Sequence, residues 1–296
     1  MADLYFGLAI LIVLAITGFW MAVRITHRGP GYRCDLLAFE MVLLMGLYIV
    51  HLWNQTLLAR VLPYSNLVVL GNWFLPFGGF MAGLVWRRIQ GHPFRRLAVT
   101  AALPVIGFYS AIHPLLGSEP RCEERWQDDV CLQTAPTTCS PASAATLLRV
   151  YGITTTEQEM AKLCLTREGT SWAGIYRGLK TKTRGTDWDV EWFECDLQSL
   201  RAQVLRDHRP VLLSVGISEE TSKTGEYQSD WGLTPGQPHT VVLFNGLGSS
   251  ACVIGDPAIG RELWAWHDLS KLWQGQGIRL VRRHNTNAVA IAHKFE

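Results

Sequence analysis

Cys139 stands in the run Gln133-Thr-Ala-Pro-Thr-Thr-Cys139-Ser-Pro-Ala-Ser-Ala-Ala-Thr-Leu-Leu, where an irregular stretch gives way to a helix pattern. A thiol at a helix start feels the partial positive charge of unpaired backbone N–H groups, which favours the thiolate and makes a nucleophile. Gln133, six residues upstream, supplies a side-chain amide. Folded back beside the sulfur, it can donate a hydrogen bond to the oxyanion formed when a carbonyl is attacked.

A thiolate needs a base, and the base needs a group that orients it. Near its end the chain reads Pro238-His239-Thr-Val-Val-Leu-Phe-Asn-Gly, then Ala-Cys-Val-Ile-Gly-Asp256-Pro-Ala-Ile-Gly. His239 opens one apolar, β-branched run and Asp256 closes the next, with Gly246, Gly248 and two serines between them, a pattern that predicts a hairpin. In an antiparallel pair the start of the first strand lies beside the end of the second, so imidazole and carboxylate are expected at one sheet edge.

Each residue also has a plainer reading. A cysteine is commonly buried filler, Asp256 in Gly-Asp-Pro a turn former, Gln133 a surface amide and His239 a strand-edge side chain. Two features favour the catalytic set. Cys139 sits at a helix start with Gln133 before it, and of nine histidines His239 alone opens a strand with an Asp-ended partner.

On these residues the chain resembles the papain-like cysteine peptidases that process bacteriocin and other double-glycine leader peptides. The resemblance implies Cys139 as nucleophile, Gln133 as oxyanion-hole residue, His239 as general base and Asp256 as the residue that orients the ring. It also takes in Pro141-Ala-Ser-Ala-Ala with Leu147, Tyr151-Gly152, Gly169-Thr-Ser-Trp172, Pro210-Val-Leu-Leu and Leu272-Trp-Gln-Gly275, roughly residues 122 to 284. Two departures matter. Members usually carry Gly directly after the nucleophile, where this chain has Ser140. The better-known members also precede an ATP-driven transporter, whereas no Gly-x-x-x-x-Gly-Lys phosphate loop occurs here, so ATP-coupled export by these residues is not expected.

The first hundred-odd residues are dominated by long apolar stretches. Four membrane helices are expected, roughly Leu4 to Val23, Leu36 to Trp53, Leu67 to Trp86 and Leu97 to Leu116, each able to cross a ~30 Å hydrocarbon layer. No Ala-x-Ala-like site follows the first, which argues against a cleaved signal peptide. The chain therefore divides into a transmembrane domain, 1–117, and a peptidase domain, 118–296.

Arg24, Arg28 and Arg33 follow the first helix and Arg87, Arg88, Arg95 and Arg96 the third, whereas the loop after the second has only Arg60. By the positive-inside rule the Arg-rich loops face the cytoplasm. Both termini and the catalytic domain then lie outside a bacterial cytoplasmic membrane, although Arg121 and Arg125 pull the other way. Glu40, His51 and His113 fall near helix ends, where they reach interfacial water; Asn72 is the other polar residue of these segments. Trp20, Trp53, Trp73 and Trp86 suit an interfacial belt. Gly78-Gly79 is expected to serve close helix packing.

Among seven cysteines, Cys122 and Cys131 are the best candidates for a disulfide, while Cys164, Cys195 and Cys252 read as small buried residues. A net charge of +2 and the absence of a basic stripe in the soluble part exclude nucleic acid as a natural partner. The outer domain reads as helices at 140–151, 156–164 and 170–181, a strand at 187–194, a helix at 197–206 and a strand at 211–217. The His239 and Asp256 strands follow, then apolar runs at 278–281 and 288–292. That order describes an α+β fold, with an antiparallel sheet in the papain-like domain.

The expected protein is thus a membrane-anchored cysteine peptidase acting on leader or precursor peptides, with no metal or organic cofactor. Its partners would be a peptide or protein substrate, the lipid bilayer and an export complex. Two other readings stay open: a non-hydrolytic module that grips leader peptides, and a cysteine enzyme that transfers the acyl group to an amine.

Overall fold

The computed structural model of the chain describes residues 2–27, 31–52, 56–62, 64–70, 74–89, 92–218, 226–229, 231 and 233–283. Arg28, Trp53, Asn72, Trp73 and the apolar run 288–292 lie outside the described residues. Contacts divide the chain into two units, Met1–Ser118 and Glu119–Glu296.

The first unit is helical, a form in which a long apolar run satisfies its backbone groups within itself. Its elements are α1 (Ala2–Ile25), α2 (Gly31–His51), α3 (Thr56–Val61), α4 (Ser65–Val69), α5 (Phe74–Arg88) and α6 (Pro93–Ile112). Three stretches, Ala2–Ile25, Gly31–His51 and Pro93–Leu115, are long and apolar enough to cross a membrane. The expected span from Leu67 to Trp86 differs, being divided between α4 and α5. At 1.5 Å per residue, α5 with its 15 residues reaches ~22 Å. Pro76 supplies a reason: lacking an N–H to bond one turn back, it suits the first turn of a helix and not the interior of a longer one.

Glycines set how closely α5 packs. A Cβ at Gly79 would run into the Ala15 carbonyl and one at Gly83 into that of Phe19, so this Gly-x-x-x-Gly face lies directly on the α1 backbone. On its other side a Cβ at Gly78 would stand 3.0 Å from the Leu103 carbonyl oxygen, and one at Gly107 2.7 Å from the Leu75 Cα. Gly78-Gly79 therefore serves packing, as the sequence suggested. The pairings make α5 parallel to α1 and antiparallel to α6. Arg87 donates to the His27 carbonyl at 3.0 Å and Arg88 pairs with Asp35 at 3.2 Å, which brings the Arg-rich stretches after α1 and α5 to one end of this unit.

The second unit begins with a two-stranded ribbon, β1 (Trp126–Gln127) and β2 (Val130–Cys131). Three helices follow, α7 (Cys139–Val150), α8 (Glu157–Leu163) and α9 (Trp172–Lys182). Next come β3 (Trp188–Glu194), α10 (Leu197–Asp207), β4 (Val211–Val215), β5 (His239–Leu247), β6 (Ala251–Asp256), β7 (Gly260–Ala265), a helix at Trp266–Leu272 and β8 (Trp273–Arg282). The sheet runs β3-β8-β4-β5-β6-β7 and every neighbouring pair is antiparallel. The architecture is α+β, with apolar helices first and an antiparallel sheet after. β7 and the Trp266–Leu272 helix were not anticipated, because Gly-Arg-Glu-Leu-Trp-Ala carries too much charge in six residues to read as a strand.

Local chemistry explains the ends of these helices. Ser171 caps α9 by accepting from the Gly174 N–H, and Thr156 caps α8 by accepting from Glu159. α7 ends where Gly152 takes φ +71°, a left-handed conformation that costs glycine nothing. Residues 140 to 148 of α7 are all buried, and Ala142, Ser143, Ala144 and Ala145 let the helix approach β5 closely. Beneath β5 lies an apolar cluster that includes Leu213, Val215, Val241, Leu243, Ile254 and Trp264.

The disulfide expectation is overturned, since Cys122 and Cys131 are both free thiols. Cys131 is buried in β2 beneath Thr146, whose hydroxyl accepts from its N–H at 2.9 Å. Cys122 turns instead toward the Pro120 carbonyl, 3.8 Å from its sulfur. Cys164 and Cys252 are buried as expected, whereas Cys195 is only partly so.

Candidate active site

Cys139 is the first residue of α7. Thr138 precedes it without making a side-chain cap, because its hydroxyl is engaged with Ala135, donating to the carbonyl at 2.7 Å and accepting from the N–H at 3.1 Å. The thiol therefore sits at an uncapped helix start, with no side-chain oxygen competing for the positive end of the dipole.

His239 opens β5 and Asp256 closes β6, and the two strands form the expected antiparallel hairpin through a turn at Gly248, φ +61°. Nε2 of His239 lies 2.8 Å from Oδ1 of Asp256, with side-chain exposures of only 15% and 5%. Oδ1 also accepts from the Ala258 N–H at 2.8 Å, so the turn after β6 holds the carboxylate in place. With Nε2 taken by the acid, Nδ1 is the ring nitrogen left for Cys139, whose thiol the His239 side chain holds low. The imidazole thus bonds the carboxylate and acts electrostatically on the sulfur.

Electrostatics in this cluster favour charge on both sulfur and ring. Burial alone would push the Cys139 thiol up, but the hydrogen bond from His239 and its positive charge, then the Thr240 backbone N–H and the Ser140 hydroxyl, hold it below the ordinary 9.0. Burial alone would lower His239, but its bond to Asp256, its bond to Cys139 and the negative charge of both raise it from 6.5 to about 10. The two shifts favour the shared proton on the ring over the sulfur, the direction of a thiolate facing an imidazolium.

Gln133 is brought to the same corner by its backbone, whose N–H donates to the Pro257 carbonyl at 2.7 Å, one residue beyond Asp256. Its Oε1 is buried and has no hydrogen-bond partner among the described residues. The two ends of an amide have the same shape, so a half-turn presents N–H where oxygen now stands.

Three neighbours escaped the sequence reading. Glu157, fully buried, accepts from the Thr134 N–H at 2.9 Å and from its hydroxyl at 2.6 Å, clamping the residue next to Gln133. Ser140 and Thr240, each adjacent to a site residue, join hydroxyl to hydroxyl at 2.8 Å. Nothing in the local pattern marks Glu157, which reads as an ordinary acidic first-turn residue of α8. Ser140 was visible only as a departure from glycine.

No family model matches the chain, and no curated protein does. Among solved structures it is similar to the peptidase domain of Streptococcus ComA, described as a bi-functional ABC transporter involved in a quorum-sensing pathway. That match has 18% identity and a TM-score of 0.40, covering 51% of this chain and 96% of the other. A double-glycine motif protease from an AMS/PCAT transporter, solved with its leader peptide, matches at 15% identity and TM-score 0.39, covering 56% and 97%. The N-terminal peptidase C39-like domain of a toxin secretion ATP-binding protein from Vibrio parahaemolyticus matches at 10% identity and TM-score 0.35, covering 51% and 100%. In each of these matches the aligned part is about half of this chain.

Proposed function

We propose that the chain is a membrane-anchored cysteine peptidase that hydrolyses peptide bonds in leader or precursor peptides. The observation that carries this reading is the His239–Asp256 bond acting on Cys139, with the thiol held low and the imidazole high. Buried structural thiols show the opposite, as Cys164 and Cys252 do at about 12.

In the proposed reaction the Cys139 thiolate attacks the carbonyl carbon and an S–C bond forms. The oxyanion is met by the Cys139 backbone N–H and the Gln133 amide. His239 then gives its Nδ1 proton to the leaving nitrogen as the C–N bond breaks, releasing an amine and leaving a thioester. Neutral His239 next takes a proton from water, whose oxygen attacks the thioester, and the S–C bond breaks to give a carboxylic acid and regenerate the charged pair. Asp256 keeps Nε2 protonated throughout, so Nδ1 alone exchanges the proton.

The apolar first unit anchors the enzyme in the bacterial cytoplasmic membrane. The Arg-rich stretches that share one end of that unit face the cytoplasm, and the second unit lies outside, near substrates as they emerge. An export complex is the natural partner for such an enzyme.

The test compares the N-termini of secreted proteins and peptides in cells carrying the native chain and Cys139→Ala. New termini that vanish in the variant support hydrolysis, and identical sets refute it. Leader peptide retained by the variant without any processed terminus would point to a binding module instead. Product mass separates hydrolysis from transfer to an amine.

A further inference from the structure

The residues that follow the nucleophile and the base are joined in their own right. Ser140 Oγ lies 2.8 Å from Thr240 Oγ1, and both residues are buried, 5% exposed each. One turn further along α7, the Ser143 hydroxyl donates to the Thr240 carbonyl at 2.7 Å. Ser140 Oγ also lies 3.9 Å from the Cys139 sulfur, within reach of a sulfur hydrogen bond.

Proton bookkeeping gives this pair a direction. A hydroxyl has one proton, so Ser140 can donate to sulfur only if Thr240 donates to Ser140. A thiolate accepts and cannot donate, which selects that order over its reverse. Each donor in such a chain strengthens the next.

We propose that Ser140 and Thr240 form a hydroxyl relay, Thr240 Oγ1–H to Ser140 Oγ–H to Cys139 Sγ, that stabilises the thiolate and fixes the start of α7 against the start of β5. Both act through Cys139 and are positioning residues, a role glycine after the nucleophile could not fill. His239 is the charged group that acts on the sulfur, with Asp256 behind it, so the relay is a neutral second support for the same charge. The inference rests on the nucleophile reading above.

The test follows alkylation of Cys139 by a neutral haloacetamide across pH, using the full chain in detergent and counting adducts on each cysteine by peptide mass. Ser140→Ala and Thr240→Val are each expected to slow alkylation about 2- to 10-fold at the acidic end, the range of a single hydrogen bond. Their profiles should shift to higher pH and rejoin the native rate at the alkaline plateau, and Thr240→Ser should restore the native profile. Native profiles in Ser140→Ala and Thr240→Val would overturn the relay. So would a uniform slowing at all pH values that Thr240→Ser fails to repair, which is the mark of a merely structural role. His239→Ala separates the two claims: if it leaves the profile unchanged, the nucleophile reading itself falls, whatever the relay variants do.

Discussion

Cys131 and Cys139 lie eight residues apart in one unit, yet their surroundings do opposite things to the same side chain. Cys131 closes a short strand under Thr146, and burial, then the negative charge of Glu157 and Glu124, pushes its thiol up to about 12. Cys139 is also largely enclosed, but His239, the Thr240 N–H and Ser140 reverse the effect of burial. Enclosure by itself makes a thiol inert; what makes one reactive is a set of donors and a cation aimed at the sulfur.

Changes on the Cys139 side should have the largest effects. Cys139→Ala is expected to reduce peptide hydrolysis by about 10⁴-fold or more, as loss of a nucleophile does elsewhere, measured on a peptide that the native chain cleaves. Asp256→Asn keeps the shape but offers the ring an amide that can present the wrong end, and a loss approaching ~10⁴-fold in kcat is expected. Gln133→Ala removes one oxyanion donor, for which about 10²- to 10³-fold in kcat with little change in KM is expected. Cys131→Ala, by contrast, should leave kcat within about 3-fold and show its effect as a lower melting temperature, from the small cavity it leaves.

The pH dependence follows from the same two groups. Below the lowered pKa of Cys139 the sulfur is protonated and attack fails. Above about 10 His239 has lost its proton, and the leaving nitrogen has no acid to receive one from. Activity should therefore rise on the acid side of the ordinary thiol value of 9.0 and fall as pH passes about 10. A profile that begins to rise only at 9.0 would mark Cys139 as an ordinary, unactivated thiol.

A second contrast separates the two units. Polar side-chain bonds fix the geometry of the site, whereas glycine fixes the packing of α5 against α1. Gly79→Leu is expected to destabilise the first unit by about 1–3 kcal/mol, read by thermal unfolding in detergent, because no rotamer avoids the Ala15 backbone.

Much of this was legible in the sequence because strand alternation and helix starts are local signals. The hairpin that pairs His239 with Asp256 needed only two β-branched runs and a glycine-serine turn. The helix at Cys139 needed only small residues after an irregular stretch. What stayed hidden depends on distant partners. Glu157 is 23 residues from Thr134 and reveals its role only when α8 folds inward. Ser140 and Thr240 are 100 residues apart. The Cys122–Cys131 expectation failed for a related reason, since sequence spacing does not say which way each thiol points. The third apolar segment is continuous in hydropathy, and only Pro76 marks locally where a helix can begin anew.

The most direct measurement is the alkylation rate of each cysteine in the native full-length chain at neutral pH, with His239→Ala beside it. Cys139 is expected to react far faster than Cys122, Cys131, Cys164, Cys195 and Cys252, and to lose that advantage in His239→Ala. Equal rates at all of these thiols, or a Cys139 rate indifferent to His239, would contradict the account.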